Sequence, residues 1–414
     1  MNPAILSLLA LLAAIALSCF TPINVGFLSI ALAFLIGHFA AGMKLTAVMA
    51  GFPVSLFLTL TGVMLLFAQS STNGTLDKVA KRSLLLARGN RGLIPVVFYL
   101  LAVVLGACGP GGIAAAALLA PVAMSVAGEM GIPAFLMTLM VANGANAGTF
   151  SPIAPTGIIA RDLMAKIGLA GMEWPNFWNT LVAQSLVAFA GYLLLGGVVL
   201  LKTRAVPDVG STALEPFNRS QKLTLAVLAA LVASVIAFRV DVGVAAFVAA
   251  AVLAIAGAAN DEAAVKAMPW SVIALVCGVT MLIHVMDVTG GMDLFGGILA
   301  GLSGPRFIPG MMALVTGIIS VYSSSSGVVL PAFLPTIPRL IEKLGGGDPL
   351  MIAYSINVGA HLVDVSPLST IGAICLACAP VTEDRSVLFR KLLLWGWSMA
   401  AVGAVVCQLL FGLR

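Results

Sequence analysis

Long apolar stretches follow one another along most of the chain, and short polar or charged segments separate them. About 20 consecutive apolar residues are enough to cross the hydrocarbon core of a bilayer as a helix. The pattern therefore predicts an all-α polytopic membrane protein. The uninterrupted predicted spans are residues 4–20, 22–42, 52–70 and 177–201 in the first half and residues 223–238, 242–258, 270–288 and 388–411 in the second.

Four further apolar segments are interrupted near their middle. Residues 92–128 and 306–344 each contain a short run of Gly, Pro or Ser that leaves two arms shorter than a full span, which predicts two re-entrant helical hairpins. Residues 132–167 and 352–379 each contain Asn, Ser, Thr and a Ser-Pro pair, which predicts two helices that unwind at the membrane midplane. Each half therefore has five predicted transmembrane helices and one hairpin.

The two halves of the chain repeat one another. Ser151 and Ser366 are each followed by proline within a broken helix, and they are 215 residues apart. Three further pairs in matching places are 214 residues apart, namely Pro95 and Pro309, Pro121 and Pro335, and Thr156 and Thr370. Because an odd number of crossings inverts the second half relative to the first, we expect an inverted repeat. Its halves are residues 1–201 and 223–414, and residues 202–222 form a cytoplasmic linker.

Composition narrows the functional class. Hydrophobic residues make up 61% of the chain and charged residues 9%, against about 25% charged residues in soluble proteins. A water-soluble enzyme, a disordered chain and a nucleic-acid binder are therefore excluded. The six cysteines lie in apolar surroundings, and we interpret the C-x-x-C pair Cys375 and Cys378 as packing residues rather than as a redox or metal-binding pair.

Basic residues predict the orientation of the chain in the membrane. Residues 75–91 carry five Lys or Arg, whereas the matching stretch 290–304 carries none. Lys and Arg accumulate on the cytoplasmic side, so we expect residues 75–91 and the linker inside and both termini outside. The net charge of +5 then reflects orientation in the lipid bilayer and needs no acidic partner.

The hairpin tips and the broken helices are the expected functional site. Half-helices that end inside the membrane expose N–H groups, which attract anions, and carbonyl groups, which attract cations. In so apolar a chain, the residues at these places are candidate substrate ligands. In the tips they are Gly109, Pro110, Gly111, Ser323, Ser324, Ser325 and Ser326; in the first broken helix Asn143, Asn146, Thr149, Ser151 and Thr156; and in the second Asn357, His361, Ser366 and Thr370.

Asp364 is the one acid that the repeat places inside an unwound segment. A carboxylate at membrane depth is costly, and such residues are functional by default. Asp364 can bind Na⁺, carry a proton, or pair with His361, which can itself titrate near neutral pH. We expect Asp364, Asn146 and Thr149 to form the site of the coupling ion, either Na⁺ or H⁺, with no cofactor and no other metal.

Two segments resemble a known family. They are VANGANAGTFSPIAPTGIIA at 141–160 and NVGAHLVDVSPLSTIGAICLA at 357–377. With the two hairpins, they resemble the malonate/dicarboxylate carrier (MatC) family of the ion transporter superfamily, which is related to divalent anion/sodium symporters. The resemblance implies an ion-coupled carrier of small dicarboxylates in the cytoplasmic (inner) membrane, a homodimer and an elevator mechanism. Those symporters carry Ser-Asn-Thr at both tips, whereas this chain has Gly-Pro-Gly-Gly and Ser-Ser-Ser-Ser-Gly.

Two other functional classes compete with this interpretation. A cation/proton antiporter or an oxyanion exporter of the same superfamily would also use a single intramembrane Asp and polar tips. An intramembrane enzyme could use His361 and Asp364, but the chain contains neither H-E-x-x-H nor G-x-S-x-G, and an enzyme needs no inverted repeat.

Neutralising Lys78, Lys81 and Arg82 together is expected to disturb membrane insertion and expression more than substrate affinity. These residues lie in the charged stretch, away from both broken helices and both tips. Reporter fusions measure the insertion of the triple Gln variant, and uptake assays measure its KM. Normal insertion with a KM raised about tenfold, which corresponds to about 1.4 kcal/mol, would contradict this assignment.

Overall fold

The computed structural model of the protein describes residues 2–21, 23–83, 90–203, 216–238, 240–380 and 382–412. Every regular element among these residues is a helix, so the all-α prediction is confirmed. Residues 204–215, which make up most of the predicted linker, and Arg88 in the basic stretch lie outside the described residues.

The first half of the chain contains eleven described α-helices. They are α1 (Pro3–Phe20), α2 (Val25–Phe34, continued by a π-helical turn Leu35–Ala40), α3 (Leu45–Met49), α4 (Val54–Thr72), α5 (Thr75–Ser83), α6 (Leu93–Ala107), α7 (Gly111–Met130), α8 (Ala134–Gly148), α9 (Pro155–Lys166), α10 (Glu173–Leu194) and α11 (Gly197–Leu201).

The described residues of the second half follow a similar order. They form α12 (Arg219–Phe238), α13 (Val242–Ile255), α14 (Asp261–Ala267), α15 (Trp270–Val288), α16 (Gly291–Leu302), α17 (Ile308–Ser320), a π-helical turn Ser325–Val329, α18 (Leu330–Phe333), a 3₁₀ turn Leu334–Thr336, α19 (Ile337–Leu344), α20 (Pro349–Leu362), α21 (Thr370–Ala377) and α22 (Arg385–Phe411).

Several of these helices have the length and the apolar composition of transmembrane helices. Five described helices, α4, α7, α10, α15 and α22, are long and apolar enough to cross a bilayer by length and composition. Shorter apolar helices add to them, namely α1, α2 with its π-helical turn, α6, α13, α16 and α17. The chain is therefore a multi-pass membrane protein.

Helix boundaries differ from the sequence prediction in four places. The second arm of the hairpin at 92–128, which was expected to be shorter than a full span, is the 20-residue helix α7, and it is long enough to cross a bilayer. The span predicted at 177–201 ends at Leu194, because Gly196 takes a left-handed conformation with φ of 86° and starts the separate helix α11. The second arm of the hairpin at 306–344 is divided into four short helical pieces, where Pro331, Pro335 and Pro338 remove backbone donors. The short helices α3 and α14 were not predicted.

Small residues bring the first arm of each hairpin close to a broken helix. α6 packs on α8, where Gly144 lies against the backbone of Tyr99, and α17 packs on α20, where Gly359 lies against the backbone of Ala313. A side chain at either glycine would collide with that backbone, so the close approach depends on the missing Cβ. The second contact repeats the first at a distance of 214 or 215 residues.

The polypeptide of each break folds back against the half-helix that follows it. A Cβ added at Gly157 would collide with the carbonyl oxygen of Ser151, and one added at Gly372 would collide with that of Ser366. Both obstacles are backbone atoms, which cannot rotate away. These two glycines therefore hold the unwound segments compact, and the half-helices α9 and α21 begin at a fixed place.

Gly372→Ala is expected to destabilise the protein by about 1–3 kcal/mol, because the new methyl group must displace backbone. Thermal unfolding of the purified protein in detergent measures the effect. Gly301→Ala on α16 is the matched control, since nothing lies within 4 Å of a Cβ placed there. Equal melting temperatures for the two variants would contradict the packing argument.

Candidate substrate and ion site

The two broken helices meet each other at their unwound segments. The side-chain amide of Asn146, near the end of α8, donates to the carbonyl oxygen of His361, near the end of α20, at 3.3 Å. The ring of Phe150, in the first break, packs edge-on against the His361 ring with 4.6 Å between centroids. The first and second halves of the chain therefore share one buried site.

Each hairpin tip contacts the broken helix of its own half. At the first tip, the backbone N–H of Gly112 donates to Thr149 Oγ1 at 3.2 Å. At the second tip, Ser325 Oγ lies 2.6 Å from Asp364 Oδ1 and 3.0 Å from the carbonyl oxygen of Ala360. A serine hydroxyl has one proton, and the short distance to the carboxyl group favours donation to Asp364.

A small cavity of about 30 Å³ lies where the four segments converge. It has room for one or two water molecules, since a water molecule needs about 10–15 Å³ of such space. Among the described residues its lining consists of Gly112, Ile113, Asn146, Thr149, Thr156, Ser323, Ser324, Ser325, Ser326, His361, Asp364, Ser369, Thr370 and Ile371. This lining contains one carboxyl group and one imidazole, and it contains no Lys or Arg.

Helix ends of both kinds surround this cavity. Its lining includes residues from the first turns of α7, α9 and α21 and from the π-helical turn that starts at Ser325. It also includes Asn146 and His361 from the last turns of α8 and α20. Helix N-termini carry partial positive charge and C-termini partial negative charge, so an anion and a cation can bind side by side.

The two ionisable groups of the cavity are held by different partners. His361 Nδ1 lies 3.0 Å from the backbone carbonyl oxygen of Asn357, which only accepts hydrogen bonds. Nδ1 therefore carries a proton, and Nε2 is the nitrogen that can gain or lose one. The hydrogen bonds among the described residues join Asp364 to Ser325 and leave His361 separate, so the geometry does not favour a structural His–Asp pair.

Ser369 belongs to this site, although the sequence analysis did not select it. Its hydroxyl lies 2.5 Å from the carbonyl oxygen of Asp364 and 2.9 Å from that of Ser366, and it accepts from the backbone N–H of Gly372 at 3.4 Å. It is the N-cap of α21. A Ser just before a helical apolar run is a readable N-cap signal, and that signal could have found it.

Ten of the candidate residues line the cavity, and seven do not. The seven are Gly109, Pro110, Gly111, Asn143, Ser151, Asn357 and Ser366. Gly109 and Gly111 supply positive φ angles of 128° and 78° at the turn between α6 and α7. A Cβ at Gly109 would meet Phe67, and a Cβ at Gly111 would meet Pro155. These glycines therefore determine the shape of the tip.

Three of these seven residues make side-chain hydrogen bonds outside the cavity. Asn143 donates to the carbonyl oxygen of Leu139 at 2.8 Å. Asn357 donates to Asn176 Oδ1 on α10 at 2.8 Å. Ser366 donates to a backbone carbonyl of the second hairpin at 3.2 Å. The structure therefore brings both hairpin tips, both helix breaks, His361 and Asp364 together at the cavity. Asn143 and Asn357 lie outside its lining.

A second, larger cavity of about 570 Å³ lies further along α9. Thr156 lines the small cavity, and Asp162 and Lys166, later on the same helix, line the large one. The ends of α4 and α15 and the proline-rich arm of the second hairpin form its other walls. Asp162 and Lys166 form an ion pair at 2.9 Å.

The fold and this site define a multi-pass membrane protein with helix breaks that converge on a buried polar cavity, and comparisons with known proteins agree. Residues 1–149 match a family model described as "Dicarboxylate carrier protein MatC N-terminus", which confirms the family resemblance over that part of the chain. No curated protein sequence matches the chain.

Solved structures of transporters share the fold. The YdaH transporter of Alcanivorax borkumensis aligns with a TM-score of 0.60 and 16% identity over 100% of this chain and 99% of its own. MtrF of Neisseria gonorrhoeae, which represents a class of antimetabolite efflux pumps, aligns with a TM-score of 0.58 and 14% identity over 99% of this chain and 94% of its own. At these identities the likeness concerns the fold.

Ser325→Ala is expected to weaken transport about ten- to a hundredfold, since a hydrogen bond to a charged group contributes about 1.5–3 kcal/mol. Uptake of labelled dicarboxylate into proteoliposomes is the measurement. Ser398→Ala is the matched control, because that serine is exposed on α22 and bonds only the Trp395 carbonyl. Equal uptake by the two variants would remove Ser325 from the site.

Proposed function

We propose that this protein is a secondary active transporter of small dicarboxylates, of the malonate or C4-dicarboxylate class, coupled to Na⁺ or H⁺. The observation that carries the proposal is the convergence of helix N-termini, serine hydroxyls and Asp364 on one buried cavity. The match of residues 1–149 to the dicarboxylate carrier family supports it and favours membership of that family for the whole chain.

The donors of the cavity suit carboxylate groups. Serine hydroxyls at the second tip and the backbone N–H groups that start α7 at the first tip are both hydrogen-bond donors, and both lie at the start of helical segments. Charge-assisted hydrogen bonds of this kind are stronger than neutral ones. A dicarboxylate has two such groups, so one can bind at each tip. These donors favour an anion carrier over a cation/proton antiporter.

Charge balance in the cavity is the reason for ion coupling. A dicarboxylate dianion would add two negative charges to that of Asp364, and the described lining contains no Lys or Arg to oppose them. The effective cost of burying an unpaired charge is several kcal/mol per ion. Cations must therefore travel with the substrate, either Na⁺ beside Asp364, Asn146 and Thr149 or protons on Asp364 and His361.

The small volume of the cavity requires a conformational change. A space of about 30 Å³ cannot hold a dicarboxylate, so the site must widen to load and unload. We assign the larger cavity as the access route on one side, because α9 and the second arm of the second hairpin supply lining residues to both cavities. An elevator-type movement in a homodimer within the inner membrane would expose the site alternately on each side.

An inverted repeat is part of the proposal. The paired contacts of Gly144 with Tyr99 and of Gly359 with Ala313, spaced like the paired prolines, support it. The orientation with both termini outside follows from the basic residues at 75–91 and the odd number of crossings in each half.

Asp364→Asn is expected to abolish gradient-driven accumulation while it leaves substrate exchange measurable. The substitution keeps the shape of the side chain and removes the charge that holds the coupling cation, and exchange needs no net ion movement. Proteoliposomes loaded with unlabelled malonate, succinate or malate measure exchange, and imposed Na⁺ or H⁺ gradients measure accumulation in either direction.

Asp348→Asn is the matched control for this experiment. Asp348 caps the same helix, α20, by accepting from Leu350 and Met351, and Asn caps helices equally well. Full gradient-driven accumulation by Asp364→Asn would refute the coupling role. Absence of both uptake and exchange of every dicarboxylate in the wild-type protein would refute the proposed function itself.

A further inference from the structure

A group of buried polar side chains lies between α8 and α10, beside the cavity. Asn143 on α8 and Thr180 and Gln184 on α10 are all fully buried. Asn143 Oδ1, Thr180 Oγ1 and both amide atoms of Gln184 have no hydrogen-bond partner among the described residues. Buried polar atoms in proteins are almost always satisfied, so these atoms indicate a bound group.

The register of α8 and α10 brings the amides of Asn143 and Gln184 to nearly the same level. A Cβ added at Gly191 on α10 would lie 3.3 Å from Leu139 on α8, and Asn176 at the start of α10 lines a pocket with Phe150, so the helices are antiparallel. At about 1.5 Å per residue, Gln184 lies about 4–5 Å along the axis from Asn143, which is within reach of its side chain. Thr180 lies one turn further along α10.

Three of these four atoms are oxygens, which can ligate a cation; the fourth, Gln184 Nε2, is a donor and takes no part in cation binding. Asn143 donates its amide N–H to Leu139, which leaves its oxygen as the free atom. Amide and hydroxyl oxygens do not take up protons near neutral pH, so a cation bound to them is a metal ion. Oxygen ligands suit hard cations, and without a carboxylate the site has too little charge for a divalent ion. The negative end of the α8 dipole is close by and favours a cation.

We propose that the side-chain oxygens of Asn143 and Gln184, bordered by Thr180, bind one Na⁺ that is carried together with the substrate. This inference rests on the proposed function, because it supplies a positive charge that the charge balance of the cavity demands. It adds a site on α10, a helix that contains none of the candidate residues, and it selects Na⁺ as a coupling ion.

Gln184→Leu tests the site and should fold, because Gln184 makes no hydrogen bond to the described residues. We expect the variant to raise the Na⁺ concentration for half-maximal uptake about tenfold or more, the effect of losing a hydrogen-bond-sized contact to a charged group. Its KM for the dicarboxylate at saturating Na⁺ should stay within about twofold of the wild type. Binding of ²²Na⁺ to the purified protein should fall by one ion per chain.

Gln408→Leu is the matched control. Gln408, on α22, accepts from the backbone N–H of Gly310 and donates to the carbonyl oxygen of Arg306, away from both cavities. The same Na⁺ response in both Leu variants, or wild-type uptake and ²²Na⁺ binding that show no Na⁺ dependence, would overturn the proposal. If no dicarboxylate is exchanged but ²²Na⁺ binds and Gln184→Leu removes one ion, the proposed function fails and the Na⁺ site stands.

Discussion

The structure depends on how the N–H and carbonyl groups of the unwound segments are hydrogen-bonded at membrane depth. A helix that breaks in hydrocarbon frees N–H and carbonyl groups, and water is not there to bind them. In this chain the Asn146 amide of the first break satisfies the backbone carbonyl of His361 in the second, and Thr149 of the first break satisfies the backbone N–H of Gly112 at the first tip. Ser325 at the second tip donates to the Asp364 carboxyl group and lies within reach of the backbone carbonyl of Ala360. The groups that must be paired for stability are therefore the same groups that can bind a polar substrate.

The two halves of this arrangement differ in their chemistry. Thr149 in the first break corresponds in position to Asp364 in the second, and Asn146 corresponds to His361. In the site, the part contributed by the first break is therefore electrically neutral, and the part contributed by the second break contains the ionisable groups. Such a division lets one half of the site bind by hydrogen bonds alone, while the other half contains the groups whose charge can change.

The sequence predicted the all-α class and the apolar helices, because the length of apolar stretches and the positions of proline and glycine act locally. It predicted side-chain direction poorly. Asn143 and Asn357 were expected among the substrate ligands but do not line the cavity, because α8 and α20 are buried on every side near these residues and the apolar pattern has no period that shows which face meets it. Gly109 was expected as a substrate ligand at the first tip, whereas its positive φ and its neighbour Phe67 give it a place in the turn.

The single proton of the Ser325 hydroxyl has a consequence for the second hairpin. Its oxygen lies within reach of both Asp364 and the Ala360 carbonyl, but it can fully donate to only one of them at a time. While the carboxyl group is ionised, the proton points to Asp364; once that charge is neutralised, the carbonyl becomes the better acceptor. The orientation of the Ser325 O–H bond thus depends on the charge of Asp364. The π-helical turn that begins at Ser325 is therefore the backbone segment most directly linked to that charge.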